Sequence, residues 1–279
     1  MSHTTVHLES QVGFAKNTEQ YNQVRSGYTP EALALLRKAV TASASINVVE
    51  IGAGTGIFTR ALLEHPDWAG AIGALRAVEP SAGMRETFEN HTTDPRVVLV
   101  DGTFEDTGAE SGSADLIAIA TAFHWCVDIP AAAAEFIRVL KPNGVLCLIW
   151  TGQDSQVDAT PWLTQVVARA EAYEDPEAGS PNGRTEKWRA LFSLPAYTAT
   201  FAPPEEEVFR WATPVTEDAV VRRALTASRV APLSDAEKDV FVRDVKAIMG
   251  RGEGKVWIDK EAGTFELPQM CRIVISKRN

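Results

Sequence analysis

Residues 48–63, VVEIGAGTGIFTRALL, constrain this chain more than any other stretch. An apolar run ends at Glu50, glycines follow at positions 52, 54 and 56, and Ile57, Phe58, Ala61, Leu62 and Leu63 then recur at helical spacing. The pattern predicts a strand, a tight glycine turn and a helix. Glycine permits positive φ and has no Cβ, so a ligand can lie against bare backbone. The helix start behind the turn offers N–H groups and partial positive charge. In open α/β sheets this is where a nucleotide-like cofactor sits. On the glycines alone a plainer reading also stays open, a turn that only packs a helix on a sheet.

Spacing and charge narrow the ligand. The dinucleotide fingerprint is G-x-G-x-x-G, whereas here the third glycine comes one residue early. Glu50 precedes the turn, where a carboxylate repels pyrophosphate and attracts a cation. S-adenosyl-L-methionine carries a sulfonium and an ammonium and no phosphate, so the pattern favours it over NAD, with S-adenosyl-L-homocysteine as product. The next apolar run ends at Glu79, before Pro80. An acid at the tip of the second strand bonds ribose hydroxyls in nucleotide-binding α/β folds. Its alternative role is an acid favouring the start of the helix near Ser81.

Five segments in order, VVEIGAGTG, AVEPSAGM, VDGTFED, SADLIAIATAFHW and RVLKPNGVLCLIW, together resemble the motifs of class I S-adenosylmethionine-dependent methyltransferases. The likeness is greatest to the small-molecule group that includes trans-aconitate methyltransferases and similar fungal enzymes, some acting on thiols. YNQVRSGYTPEAL resembles that group's leading helix and TASRVAPLSDAEKDVF its downstream signature, so the similarity runs from about Phe14 to the end. Asn143 stands where the family usually has glycine in the turn before strand five; Asn tolerates left-handed backbone, so the turn should survive. The resemblance implies a doubly wound, mainly parallel, seven-stranded Rossmann-like sheet with a helical cap. One strand is inserted antiparallel between the fifth and sixth, and FELPQMCRIVISKR near the end is the candidate. It also implies in-line methyl transfer (EC 2.1.1 class) to oxygen or sulfur of a small-molecule acceptor, a small acid or a secondary-metabolite thiol. Two other classes remain beside it: a non-catalytic, cofactor-binding regulatory protein of this fold, and an NAD-dependent oxidoreductase.

The expected organisation is a flexible tail over 1–13, a cofactor-binding core with leading helices over 14–150, and cap helices with the final strands over 151–279. Helices are expected at 17–25, 30–40, 56–64, 82–90 and 129–140, and strands at 47–51, 72–78, 96–100, 114–120 and 145–150. Lys141-Pro142-Asn143-Gly144 reads as a turn. Helices at 161–172, 184–192, 217–226 and 235–249 should cover the carboxyl edge of the sheet, with a polar loop over 174–184. Alternating strands and helices imply parallel pairing.

Ligands in such sheets bind beyond the carboxyl ends of the strands, so the residues just after each strand are the cofactor candidates. Gly52, Ala53, Gly54 and Thr55 should meet the methionine part through backbone, with Glu50 near its ammonium. Glu79 and Pro80 come after strand two, with Met84 near the adenine. Gly102, Thr103 and Phe104 come after strand three, where the resemblance places adenine; Phe104 is either an apolar face for it or core. Ala120 and Thr121 come after strand four. Tyr21, Arg25 and Tyr28 belong to the leading segment, which the resemblance implies is a lid. Arg25 either pairs with the cofactor carboxylate or is a surface arginine.

His124 either orients or deprotonates an acceptor or bonds backbone, and the second role is favoured. Trp125 and Tyr28 are expected in the substrate pocket. Of Trp150, Trp162, Trp188 and Trp211, several are candidates for an aromatic acceptor cavity and most serve as core. One of Arg222, Arg223 and Arg229 is a candidate for an acceptor carboxylate. His3 and His7 mimic the spacing of a helical metal pair but read as solvated tail, so no metal site is expected.

Composition closes other routes. The chain has 279 residues, 27 basic against 37 acidic side chains and a net charge of −10, with no basic run; a nucleic-acid substrate needs a basic footprint. No apolar run reaches a membrane span, and MSHTTVHLES lacks the features of a signal peptide. Cys126, Cys147 and Cys271 are an odd, widely spaced set, which suits a reducing, cytoplasmic setting. The sequence carries no sign of oligomeric state.

Overall fold

The computed structural model describes residues 22, 25, 27–155, 160–173 and 186–279. Helix α1 (Pro30–Ala39) begins as its residues dictate: Thr29 caps it by accepting the Ala32 N–H, and Pro30 takes the first helical turn, where no N–H is needed. Its buried stripe is Ala32, Leu33 and Leu36. Then β1 (Ile46–Ile51), α2 (Ile57–Glu64), a single turn α3 (Pro66–Ala69), β2 (Ile72–Val78), α4 (Ala82–His91), β3 (Val97–Val100) and β4 (Ala114–Ala120) follow in order. Next come α5 (Ile129–Val139) and β5 (Leu140–Gln153). The later half holds α6 (Pro161–Glu171), a 3-10 segment (Lys187–Ser193), α7 (Pro195–Thr200), β6 (Glu205–Val215), α8 (Glu217–Leu225), α9 (Asp235–Arg251), β7 (Trp257–Asp259) and β8 (Thr264–Lys277).

The sheet order is β3-β2-β1-β4-β5-β8-β6, with β7 added beside β8. Strands β1 to β5 pair in parallel. The final strand β8 runs antiparallel between β5 and β6, so the terminal segment takes the inserted position expected for it. The sheet has eight strands, one more than expected, because β7 forms a short hairpin arm with β8. Alternating side chains of β4 divide between two cores: Leu116 and Ala118 meet the α1–α2 side, while Ile117 and Ile119 meet α5 and the 3-10 segment. A strand buried on both faces must be apolar at consecutive positions, which is the ADLIAIA pattern.

The expected boundaries shift at several places. The turn predicted at 141–144 lies within the span of β5, as an irregularity between the Ala114–Leu140 and Leu116–Val145 pairs. Asn143 takes left-handed backbone there with φ 60°. Strand β5 also continues past Trp150 to Gln153. The helix expected at 184–192 is instead the 3-10 segment, and it does not join a cap. Trp188 and Leu191 pack with Phe136 and Val139 of α5 in the core on that sheet face. The other three expected helices form α6, α8 and α9, which share a separate core built on Trp162, Val221, Phe241 and Phe265. The helix expected at 17–25 and the tail at 1–13 lie outside the described residues, apart from Asn22 and Arg25. Among the described residues no helix is long and apolar enough to cross a membrane.

Candidate active site

The glycine turn is locked by backbone. The N–H groups of Gly52 and Ala53 both donate to the Val78 carbonyl, at 2.8 and 3.1 Å, joining the ends of β1 and β2. Gly52 has φ +74°, and a Cβ there would stand 2.5 Å from the Ala122 Cβ, so only glycine fits. Gly54 has φ +57°, and a Cβ there would meet nothing within 4 Å. That bare position opens on a cavity at the carboxyl ends of β1, β2 and β4, whose wall includes Gly52, Ala53, Gly54, Thr55, Glu79, Met84, Phe104 and Thr121.

Glu50 lies in this wall at 0% exposure. Its Oε2 accepts a 2.5 Å hydrogen bond from the Thr59 hydroxyl, and its Oε1 is buried with no hydrogen-bond partner among the described residues. Burial pushes its pKa to about 8 against the opposing pull of the Thr59 bond and Arg60, with Glu79 adding a smaller upward push. Glu79 is also buried and its pKa raised, again by desolvation first. One of its oxygens accepts the Gly54 N–H at 2.8 Å and the other the Ser81 N–H at 2.9 Å. Glu79 thus faces the cavity and braces the start of α4 together, and the two roles weighed for it are compatible. Glu50, Glu79 and Glu105 line the cavity against a single cationic side chain, Arg25, among the described residues.

The leading segment closes one side. Asn22 Oδ1 accepts from the Thr55 hydroxyl at 3.1 Å and from Arg60 at 2.7 Å, clasping the segment to the glycine turn. The Tyr28 hydroxyl lies 3.1 Å from the Thr121 hydroxyl, and the Thr151 hydroxyl donates to the Gly27 carbonyl at 2.9 Å. Thr121 itself is left-handed with φ 53°, a strain of about 1–3 kcal/mol for a β-branched residue that the surroundings must hold. Arg25 reaches across to the Thr226 carbonyl at 3.1 Å, at the end of α8.

A methyltransferase-domain family profile matches residues 49–148. An uncharacterized methyltransferase of Schizosaccharomyces pombe is 31% identical over 188 residues, 67% of this chain and 68% of that protein. The chain belongs to the methyltransferase family. An uncharacterized methyltransferase of Mycobacterium tuberculosis is 31% identical over 158 residues, 57% of this chain; the match spans 60% of that relative's length. The crystal structure of YcgJ from Bacillus subtilis shares the fold, with a TM-score of 0.53 over 90% of this chain and 99% of that one at 21% identity.

The cavity wall gathers most of the cofactor candidates. Arg25, Glu50, Gly52, Ala53, Gly54, Thr55, Glu79, Pro80, Met84, Thr103, Phe104, Ala120 and Thr121 all line it, and so do Tyr28 and Trp125. Gly102 does not: a Cβ there would press on Val78 and the Asp106 carbonyl, so its glycine serves close packing of the strand end. Tyr21 lies outside the described residues. Ile51, Ile57, Phe58, Glu105, Ala122, Val127 and Thr151 also line the cavity and were not anticipated. Thr151 follows Trp150, where strand five was expected to end, although β5 runs on to Gln153; the rule applied to strands one to four would have found it.

Several acceptor candidates stand elsewhere. Trp150 is not in the cavity wall; its ring lies 4.4 Å from that of Trp188. Trp162 and Trp188 are buried core. Trp211, Arg222 and Arg223 line a second cavity, which shares Arg25 and Tyr28 with the first. Arg229 lies 3.9 Å from Glu171. Burial, then Glu105 and Asp128, push the Cys126 thiol far above the ordinary range, which disfavours the thiolate.

His124 is likewise outside the cavity wall. Its Nδ1 accepts from the Trp150 indole N–H at 3.4 Å, which leaves the ring proton on Nε2. Burial first, then the charges of Arg229 and Arg25, lower its pKa to about 3. A ring that neutral is a poor proton acceptor near pH 7 and acts here as a strut under Trp150. The pH–rate profile of kcat/KM should therefore show no inflection between pH 6 and 7 that disappears in His124→Asn. Such an inflection would restore His124 as the base.

Proposed function

We propose that this chain transfers a methyl group from S-adenosyl-L-methionine to an oxygen or sulfur of a small-molecule acceptor. One observation carries the reading: three carboxylates and one arginine face a cavity laid against the glycine turn. That acidic wall suits a donor with a sulfonium, an ammonium and one carboxylate, whose positive charge would favour the ionised form of Glu50, and it opposes a diphosphate. The buried, unpartnered Oε1 of Glu50 and the open space over Gly54 support that reading. Glu50 would hold the cationic end, Arg25 the carboxylate, Glu79 the ribose hydroxyls, and Met84 and Phe104 the adenine.

When bound, the donor supplies a methyl carbon already activated by sulfur. Transfer to the acceptor's lone pair would break the carbon–sulfur bond and leave its electron pair on sulfur. The protein's part is to align the reactants and exclude water, which can supply roughly 7–11 kcal/mol. Tyr28, Thr121 and Thr151 form the polar wall that would orient an acceptor. A carboxylate or thiolate acceptor needs no general base, which suits a cavity whose wall includes neither His124 nor Cys126. The net charge of −10 supports a small-molecule rather than nucleic-acid acceptor.

The test is calorimetry with S-adenosyl-L-homocysteine, followed by labelled donor with a panel of small acids, thiols and phenols. Binding with turnover on one class is expected. Preference for NAD would overturn the reading, and tight binding without turnover on any class would favour the non-catalytic alternative. Glu79→Ala should weaken product binding by about 1–3 kcal/mol, the range for bonds to a charged group. An unchanged dissociation constant would remove Glu79 from the ribose.

A further inference from the structure

The loop between β3 and β4 carries three residues of the first cavity's wall, Thr103, Phe104 and Glu105. It contains neither helix nor strand, so its shape depends on what it is tied to. Thr103 and Asp106 close on each other: the Thr103 N–H donates to the Asp106 carbonyl at 2.9 Å, and the Asp106 N–H to the Thr103 hydroxyl at 3.2 Å. Thr107, directly after that turn, is the anchor. Its N–H and its hydroxyl both donate to Oε1 of Glu135, at 3.0 and 2.6 Å. Its hydroxyl also accepts the Ala109 N–H at 3.2 Å.

Glu135 reaches the loop from α5, and both it and Thr107 are buried. Arg138, one helical turn on, balances the carboxylate: Nε donates to Oε2 and Nη2 to Oε1, each at 2.7 Å. Nη2 also donates to the Ala109 carbonyl at 2.7 Å, so the loop is gripped at 107 and again at 109. Helix α5 is itself fixed by the buried face of Ala132, Ala133, Phe136 and Val139. A second, apolar arm runs from the same helix. The Phe136 ring lies 5.7 Å from that of Phe123, which lies 5.7 Å from Phe104, edge to face. Glu135 is not in the cavity wall, so any effect it has on a ligand must pass through the loop.

The geometry points to Glu135 as a positioning residue for the adenine end of the donor site: through Thr107 it holds the turn at 103–106 in the shape that presents Phe104 to the cavity. The inference rests on the methyl-transfer reading, with adenine against Phe104. A loop already held in its bound shape loses less freedom when a ligand arrives. Cutting the anchor should therefore weaken only the part of the ligand that touches the loop.

The test compares S-adenosyl-L-homocysteine with S-ribosyl-L-homocysteine, which has the same amino acid and ribose and a hydroxyl in place of adenine. Both are measured on the full chain by calorimetry, the second by displacement. The ratio of the two dissociation constants reads the adenine contribution alone. In Glu135→Ala that ratio should fall by about three- to tenfold relative to wild type, with the ribosyl compound bound as before. Glu135→Gln keeps an oxygen for Thr107 and should recover most of the ratio. A role confined to stability would lower the thermal midpoint of Glu135→Ala and leave the ratio where it is, which would overturn the inference. Should Glu135→Ala fail to fold, Thr107→Val is read in the same way, since it deletes the hydroxyl and nearly keeps the shape: a lower ratio supports the inference and an unchanged one overturns it. Equal binding of the two ligands by wild type would strike the inference alone. Binding of neither would strike the methyl-transfer reading, and the inference with it.

Discussion

Replacing Glu50 by Gln is expected to stabilise the protein above neutral pH and to weaken its grip on a cationic donor. The folded pKa of Glu50, about 8, lies above its ordinary 4.5 because burial opposes the charged form. The folded chain therefore holds a proton that the unfolded chain releases, so this contribution to stability is fully present below pH 4.5 and is lost as pH rises to 8. At about 1.36 kcal/mol per unit the loss amounts to roughly 3 kcal/mol by pH 7 and 4–5 kcal/mol above pH 8. Gln at position 50 does not titrate and can still accept from Thr59. The gap between the thermal midpoints of Glu50→Gln and wild type should thus widen from pH 5 to pH 8.5. Parallel curves would show that Glu50 is not buried as a neutral acid. For the donor the sign reverses. A cation favours the carboxylate, so wild-type affinity should rise with pH towards 8, by up to about tenfold per unit, with proton release on binding. The variant should lack both effects.

Gly52→Ala should cost about 2–5 kcal/mol of stability. Left-handed backbone costs an L-residue about 1–2 kcal/mol, and overpacking a close contact adds about 1–3 kcal/mol; here the new Cβ would sit 2.5 Å from that of Ala122. The two costs can be separated. Adding Ala122→Gly removes the collision but not the backbone strain, so the double variant should recover part of the loss in denaturant unfolding. Complete recovery would mean that φ at Gly52 carries no cost, and no recovery that the contact with Ala122 is not what excludes a side chain. The turn also carries the N–H groups that join β1 to β2, so donor binding should weaken in the single variant.

Much of this architecture was legible because local patterns and global fold agree. The run from Val48 to Leu63 reads as strand, turn and helix and folds that way, and the glycines at 52 and 54 stand where positive φ is required. Asn143 does the work expected of it in left-handed backbone. Strand β6 was not anticipated, since it opens with three exposed glutamates on a sheet edge, where charge guards against unwanted pairing. The signal that could have found it is the alternation Phe209, Trp211, Thr213, Val215, facing one side. The segment at Lys187–Ser193 was misread for another reason. Trp188, Leu191 and Phe192 suit any apolar surface, and spacing alone does not say which face they will cover.

Covalent chemistry and periodicity, both local, determined the glycine turn, the order of strands and helices, and the acids at the ends of β1 and β2. Only the tertiary structure decided what those acids experience. Thr59 lies nine residues from Glu50 and caps one oxygen while the other is left buried and unpaired, and Glu79 is turned towards Gly54 across 25 residues. Only folding likewise removes Trp150 and His124 from the cavity wall and brings Arg25 beside the arginines of α8. Burial and charge environment depend on distances between segments apart in the chain, and folding alone sets those distances.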